Sequence, residues 1–132
     1  MSGQTNLSEV LKSLQIICDN IEYGFGTIKS NSIELNNEIL GTFKETEGLT
    51  VIAQKAYLEK NNIHHEGTYA KLTIEVHTSL ELVGFTAVLA KQLGENNISA
   101  NVVAGFFHDH IFVQYDLRKK AITALHLLKE FE

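Results

Sequence analysis

The chain has 132 residues, 44% of them apolar, and a formal net charge of −5. That apolar share excludes a disordered chain. The acidic balance, with no basic cluster, removes nucleic acid as an expected partner, because phosphate neutralisation needs a cationic face.

No apolar run approaches the roughly 20 residues that cross a bilayer, so no membrane partner is expected. The start, MSGQTNLSEV, lacks the basic, apolar, small-residue order of a signal peptide. A single cysteine, Cys18, cannot form an internal disulfide and reads as a small buried hydrophobe. These features point to the cytoplasm. The densest basic run, Arg118 to Lys120, opens a predicted helix and reads as a solvated face. With no proline in the chain, every turn falls to Gly, Asn, Asp and Ser.

The segment NLSEVLKSL reads as a first helix, with Leu7, Val10, Leu11 and Leu14 on one face. Asn6 and Glu9 have the spacing of a capping box. EYGFGTIK reads as a strand whose Gly24 and Gly26 imply close backbone approach or a bulge. No phosphate-binding helix with a third glycine follows, so no dinucleotide cofactor is expected. SNSIELNN is a polar connection. EILGTFKETEGLTVIAQ reads as a hairpin turning near Glu45 to Gly48, and QKAYLEKNN as a short helix stopping in asparagines. The region Asn61 to Gly67, with His64 and His65, reads as an exposed loop.

GTYAKLTIEVHT is a strand with Leu72, Ile74 and Val76 on one face. Thr78 and Glu81 offer a second capping box. The helix behind them buries Leu82, Phe85, Leu89 and Leu93 and ends in GENN. ISANVVAGFF and HIFVQ are the next strands. Asp116 then caps a last helix with Leu117, Ala121, Leu125 and Leu128 on its core stripe.

The resulting order is α-β-β-β-α followed by β-α-β-β-α. A β-α-β crossover joins parallel strands, and the hairpin after it adds an antiparallel one. This is an α+β, ferredoxin-like pattern: a mixed, mainly antiparallel sheet with helices on one face. ILGTFKETEGLTVIAQKAYL and VVAGFFHDHIFVQYDLRKKA echo each other, with Gly41, Phe43 and Glu45 matching Gly105, Phe107 and Asp109. Two modules follow, residues 1–67 and 68–132. Units of this size are marginal alone, so they are expected to share a core and one sheet.

TIEVHTSLELVGFTAVLAKQLGENNISANVVAGFFHDHIFV resembles an ACT domain, the regulatory module named after aspartokinase, chorismate mutase and prephenate dehydrogenase. The carrying features are a strand, V-G-F leading into a helix, and L-x-x-N-N-I-S before a second strand. GTFKETEGLTVI and HDHIFV extend the likeness over nearly the whole chain. The chain is especially similar to small free-standing bacterial tandem-ACT proteins of unknown function, and more distantly to the ACT pair of arginine sensors. Many ACT domains have proline before the helix-start glycine; here Val83 precedes Gly84.

The resemblance implies a sensor or binding module, with a small effector such as an amino acid held where modules meet. An amino acid carboxylate needs donors, and the unpaired N–H groups around Leu82, Val83, Gly84, Phe85 and Thr86 offer them. Gly84 equally fits a helix packed closely on the sheet. The ammonium needs a lasting acceptor. Asp109, where the resemblance to arginine sensors puts a ligand-contacting acid, supplies one; it equally fits a turn aspartate bonding its own backbone. Glu45 is its partner in the internal echo; Asn101 and Thr86 are further polar contacts, each of which fits local backbone bonding better.

His108 and His110 flank Asp109. Two apart on a strand, they share a face. Zinc needs three or four ligands, and a third would have to come from His77, His64 or His65 without a supporting motif. They read instead as hydrogen-bonding residues at a module or subunit interface, and neither metal nor catalytic residue is expected. The resulting expectation is a non-catalytic amino acid binder, a homodimer or higher oligomer. The alternatives are a protein-interaction adaptor without ligand and a metal-dependent enzyme using His108 and His110.

Overall fold

The computed structural model describes residues 3–76 and 84–130. The element order is α1 (Gly3–Lys12), β1 (Gln15–Cys18), β2 (Tyr23–Ile28), β3 (Ile39–Lys44), β4 (Leu49–Gln54), α2 (Lys55–Lys60), β5 (His64–Glu75), α3 (Phe85–Glu95), β6 (Asn101–Ala104), β7 (Asp109–Gln114) and α4 (Arg118–His126). Short 3₁₀ turns flank α4, at Tyr115–Leu117 and Leu127–Glu130. Two compact units result: an inserted unit, Asn20–Ala70, and an outer unit formed by Met1–Asp19 and Lys71–Glu132. β5 contributes to both.

In the inserted unit the strands run β3-β4-β2-β5, each antiparallel to its neighbour. Leu49, Val51 and Ala53 alternate inward along β4 and meet Tyr57, Leu58 and Ile63, with Ile33 packed against the same cluster. Glu45 and Gly48 close the hairpin by exchanging backbone bonds of 2.9 and 3.3 Å. The glycines of β2 explain how α2 lies so near. A methyl group at Gly24 would stand 2.9 Å from Leu58 Cδ1, and one at Gly26 would stand 2.9 Å from the His64 carbonyl. The β2–β5 register also shifts between Tyr23 and Phe25.

The outer unit places β7 beside β5 and β6 beside β7, with β1 antiparallel on β5. The crossover from β5 through α3 therefore reaches past β7 to β6, the split β-α-β arrangement of ferredoxin-like folds. β1 was not foreseen. Its four residues, QIIC, are too few to show alternation. Leu11, Leu14, Leu72, Ile74, Phe85, Leu89, Leu93, Ile111, Val113, Ala121 and Leu125 are all buried. Gln92 Nε2 donates to the Ala124 carbonyl at 2.8 Å, tying α3 to α4, and Lys129 Nζ donates to the Leu14 carbonyl at 2.9 Å.

The repeated sequence L-x-x-N-N-I has one physical outcome in both places. At Leu58–Ile63 the N–H of Ile63 bonds the Leu58 carbonyl at 2.9 Å; at Leu93–Ile98 the N–H of Ile98 bonds the Leu93 carbonyl at 2.9 Å. Asn62 (φ 54°) and Asn97 (φ 61°) take the left-handed conformation. This is the Schellman ending, and the isoleucine after each turn packs back into a core.

Some local expectations differ. α1 starts at Gly3, so Asn6 is a helix residue rather than its cap. Asn costs only a fraction of a kcal/mol there, roughly within the ordinary propensity range. His64 and His65 belong to β5, because pairing with β2 extends that strand backward. Asp116 lies in the 3₁₀ turn; Leu117 occupies the cap of α4, with no side-chain capping bond. Thr78, Glu81, Leu82 and Val83 lie outside the described residues.

Candidate ligand site

Among the described residues no side chain caps the start of α3. Gly84 is its N-cap, with φ 87° and no side-chain capping bond. The first helical bond runs from Val88 N to the Gly84 carbonyl at 3.0 Å. The N–H groups of Phe85, Thr86 and Ala87 precede it and have no partner within the helix. A methyl group at Gly84 would meet nothing within 4 Å. The glycine is therefore required by its left-handed backbone, not by close packing of helix on sheet. Phe85 turns its ring into the core, so only its backbone is available to a ligand, whereas Thr86 is exposed.

Two contacts fix where Asp109 lies relative to β5. His110 Nδ1 is 3.0 Å from Thr73 Oγ1, and His108 Nε2 is 4.0 Å from Glu75 Oε2. The paired numbers rise on β5 and fall on β7, the antiparallel sense. They also put the turn before β7 at the Glu75 end of β5, the end from which the chain leaves toward α3.

The same contacts assign faces. Thr73, Glu75, His108 and His110 share one side, and alternation puts Lys71 there too. The apolar Leu72 and Ile74 point to the other side, where the buried stripes of α3 and α4 must pack. Asp109, odd-numbered with Ile111 and Val113, points to that helix side. Asp109 thus lies at the end of β5 from which the chain leaves toward α3, on the side of the sheet that takes the apolar stripe. Asp109 is half-buried and is the first residue of β7, opposite Ala104, rather than a turn residue.

The other two candidates have surroundings of their own. Asn101 opens β6 opposite Phe112, three residues from Ala104 and so about 10 Å along the strand at ~3.3 Å per residue. Glu45 lies in the inserted unit, where its Oε1 accepts a bond from Thr50 Oγ1. The internal echo misaligned it. The turns Glu45–Gly48 and Gly105–His108 correspond, which pairs Glu45 with Gly105 and Leu49 with Asp109. Nor does the inserted unit have a helix between its first two strands; residues 29–38 run without one.

The sequence HDH is thus divided by the pleat, carboxylate to one face and imidazoles to the other. Burial holds His110 below its usual pKa, and the charges of Lys71 and His108 add to this; Asp109 acts in the opposite sense. Lys71 in turn contacts Asp19 at 3.5 Å. Among the described residues no group of three or more His, Cys, Asp or Glu side chains is placed to hold a metal ion. Sequence reasoning missed Thr73 and Glu75. Their signal was available, since from Ala70 to Glu75 the odd positions of β5 are polar and the even ones apolar.

Family models for the ACT domain match residues 2–70 and 64–127. The chain belongs to the ACT domain family. ACT domains generally serve regulation and bind amino acids. The chain is similar to a Vibrio cholerae protein of unknown function described as a possible transport protein. That likeness is 34% identity over 97% of this chain and 99% of the other, with a TM-score of 0.85. It shares its fold with an Agrobacterium tumefaciens protein (16% identity, 88% and 89% covered, TM-score 0.73). It also shares its fold with the ligand-free regulatory subunit of aspartate kinase from Thermus thermophilus (12%, 91% and 99%, TM-score 0.59). No curated protein matches the chain. Among the described residues no helix is long and apolar enough to cross a membrane.

Proposed function

We propose that this ACT protein is a non-catalytic cytoplasmic sensor that binds a free amino acid. The observation that carries the reading is the place of Asp109 at the Glu75 end of β5, from which the chain leaves toward α3. The N–H groups at the start of α3, which have no partner within the helix, suit a carboxylate, and the Asp109 carboxylate suits an ammonium. The two charges of an α-amino acid are thereby met by one helix end and one strand end. The ligand is taken up where ACT modules meet, as the family resemblance implies. Leu82 and Val83, which lie outside the described residues, belong to the proposed ligand set as the family resemblance implies. Glu45 and Asn101 serve local structure instead.

Self-association accompanies this role. All four residues of β6 are exposed, and β6 ends the strand order. From Ile98 to Phe107 the chain carries no charge, so like-charge repulsion does not oppose pairing there. The test is a thermal-shift screen against the twenty amino acids, with simple amines and carboxylates as controls. A ligand at 100 times its Kd stabilises by about 2.7 kcal/mol, enough to raise the midpoint by several degrees. No shift with any amino acid would overturn the reading.

A second reading, a protein-interaction adaptor, is favoured by Phe106 and Phe107. Their rings stack edge to face at 5.0 Å and lie 95% and 84% exposed instead of filling a pocket. It would stand if no amino acid binds and the Phe106→Ser, Phe107→Ser double variant loses a co-purifying partner.

A further inference from the structure

The histidines on the face opposite Asp109 have no part in the ligand reading, yet they sit in built contacts. Beyond its bond to Thr73, the His110 ring lies under the β6–β7 turn: a methyl group at Gly105 would stand 3.4 Å from His110 Nε2 and 2.9 Å from the His108 carbonyl. That turn is closed by Gly105 N donating to the His108 carbonyl at 2.9 Å. One imidazole is therefore bonded to β5 and lies close beside the turn that leads into Asp109.

We infer that the two rungs, Thr73 with His110 and Glu75 with His108, form a proton-sensitive latch that positions Asp109 against the start of α3. His108 and His110 are positioning residues in this device. The proposal rests on the amino acid reading for its purpose and on the rungs for its mechanics.

The charged and titratable groups around His110 among the described residues are few. From β5 come Lys71 and Glu75, from the turn His108, and from its own strand Asp109. Asp19 holds Lys71, and β6 presents uncharged Val103 opposite His110. A neutral ring fits this site. A proton added to it meets the Lys71 ammonium and a half-buried setting, both of which oppose the charge. The relief is outward movement of the ring, which releases Thr73 and the turn packed upon it. Because Asp109 is bonded to both histidines along the chain, that movement shifts its carboxylate on the other face.

The test is a ligand-free ¹H–¹⁵N titration from pH 7.5 to 5.0, with the His110 ring followed in parallel. The Gly84 and Phe85 amides, on the opposite face, are expected to shift with the His110 midpoint, below 6.5. In His110→Gln, which keeps a hydrogen-bonding side chain but does not titrate, those shifts are lost. Thr73→Val provides a second variant and is expected to uncouple the Gly84 and Phe85 shifts from His110. Flat Gly84 and Phe85 amides while His110 titrates, or shifts that persist in both variants, would overturn the latch. Since no ligand is present, a failed latch leaves the amino acid reading standing, and a failed thermal-shift screen leaves the latch result standing.

Discussion

Thr73 Oγ1 and His110 Nδ1 meet at 3.0 Å across β5 and β7, and this contact dictates that Asp109, the next residue along, faces the opposite side of the sheet. The carboxylate is thereby directed to the side that carries α3. Replacing it by the isosteric amide is the most economical test of its role. Asp109→Asn removes a charge-assisted bond of roughly 1.5–3 kcal/mol and is expected to raise the Kd for the bound amino acid by about 10- to 100-fold. Glu45→Gln, read by the same calorimetric titration, is expected to leave it within about twofold.

Gly84 and Gly94 offer an internal contrast in α3. Neither would crowd a neighbour with a methyl group, but only Gly84 has a left-handed φ, of 87°. Gly84→Ala should destabilise the protein by roughly 1–2 kcal/mol. Gly94→Ala, in the last turn of α3 with an ordinary helical φ, should stabilise it by up to about 0.5–1 kcal/mol. Urea unfolding at pH 7.5 measures both.

The two glycines of β2 separate flexible from rigid obstruction. At Gly24 the obstructing atom is the end of the Leu58 side chain; at Gly26 it is the His64 backbone carbonyl, both at 2.9 Å. Gly26→Ala is therefore expected to lower stability by about 1–3 kcal/mol, and Gly24→Ala by less, because leucine can rotate away. The order of the two unfolding midpoints checks this.

Stability should also depend on pH. Burial and the nearby cations lower the folded-state pKa of His110 below its unfolded value of about 6.5. The folded state therefore binds this proton less readily than the unfolded state does. The stabilisation is complete above pH 6.5 and is lost as pH falls from there to the lower folded pKa. Denaturant midpoints compared at pH 7.5 and 5.5 should fall for the wild type, and the His110→Gln protein should fall less.

Much of the fold was legible because its residues obey one period at a time. β5 alternates strictly from Ala70 to Glu75, and the L-x-x-N-N-I segments announce their own helix ends. β1 was hidden by its brevity, and the reach of β5 back to His64 depended on pairing with β2. At the ligand site, Gly84 was legible as a position, but its reason was not, since both close packing and a left-handed turn call for glycine. Asp109 was legible as an acid near a turn. Its face was not, because the pleat can be assigned only once Thr73 is known to meet His110. Glu45 misled for a related reason: composition aligned two hairpins whose turns are offset in register.

The central claim is that Asp109 and the start of α3 together hold an amino acid. The most direct measurement is a ¹H–¹⁵N titration of the intact protein at pH 7.5 with the amino acid that gives the largest thermal shift. Saturable shifts at Gly84, Phe85, Thr86 and Asp109, lost in Asp109→Asn, are the expected result. Shifts confined to other residues, or binding unchanged by Asp109→Asn, would contradict it.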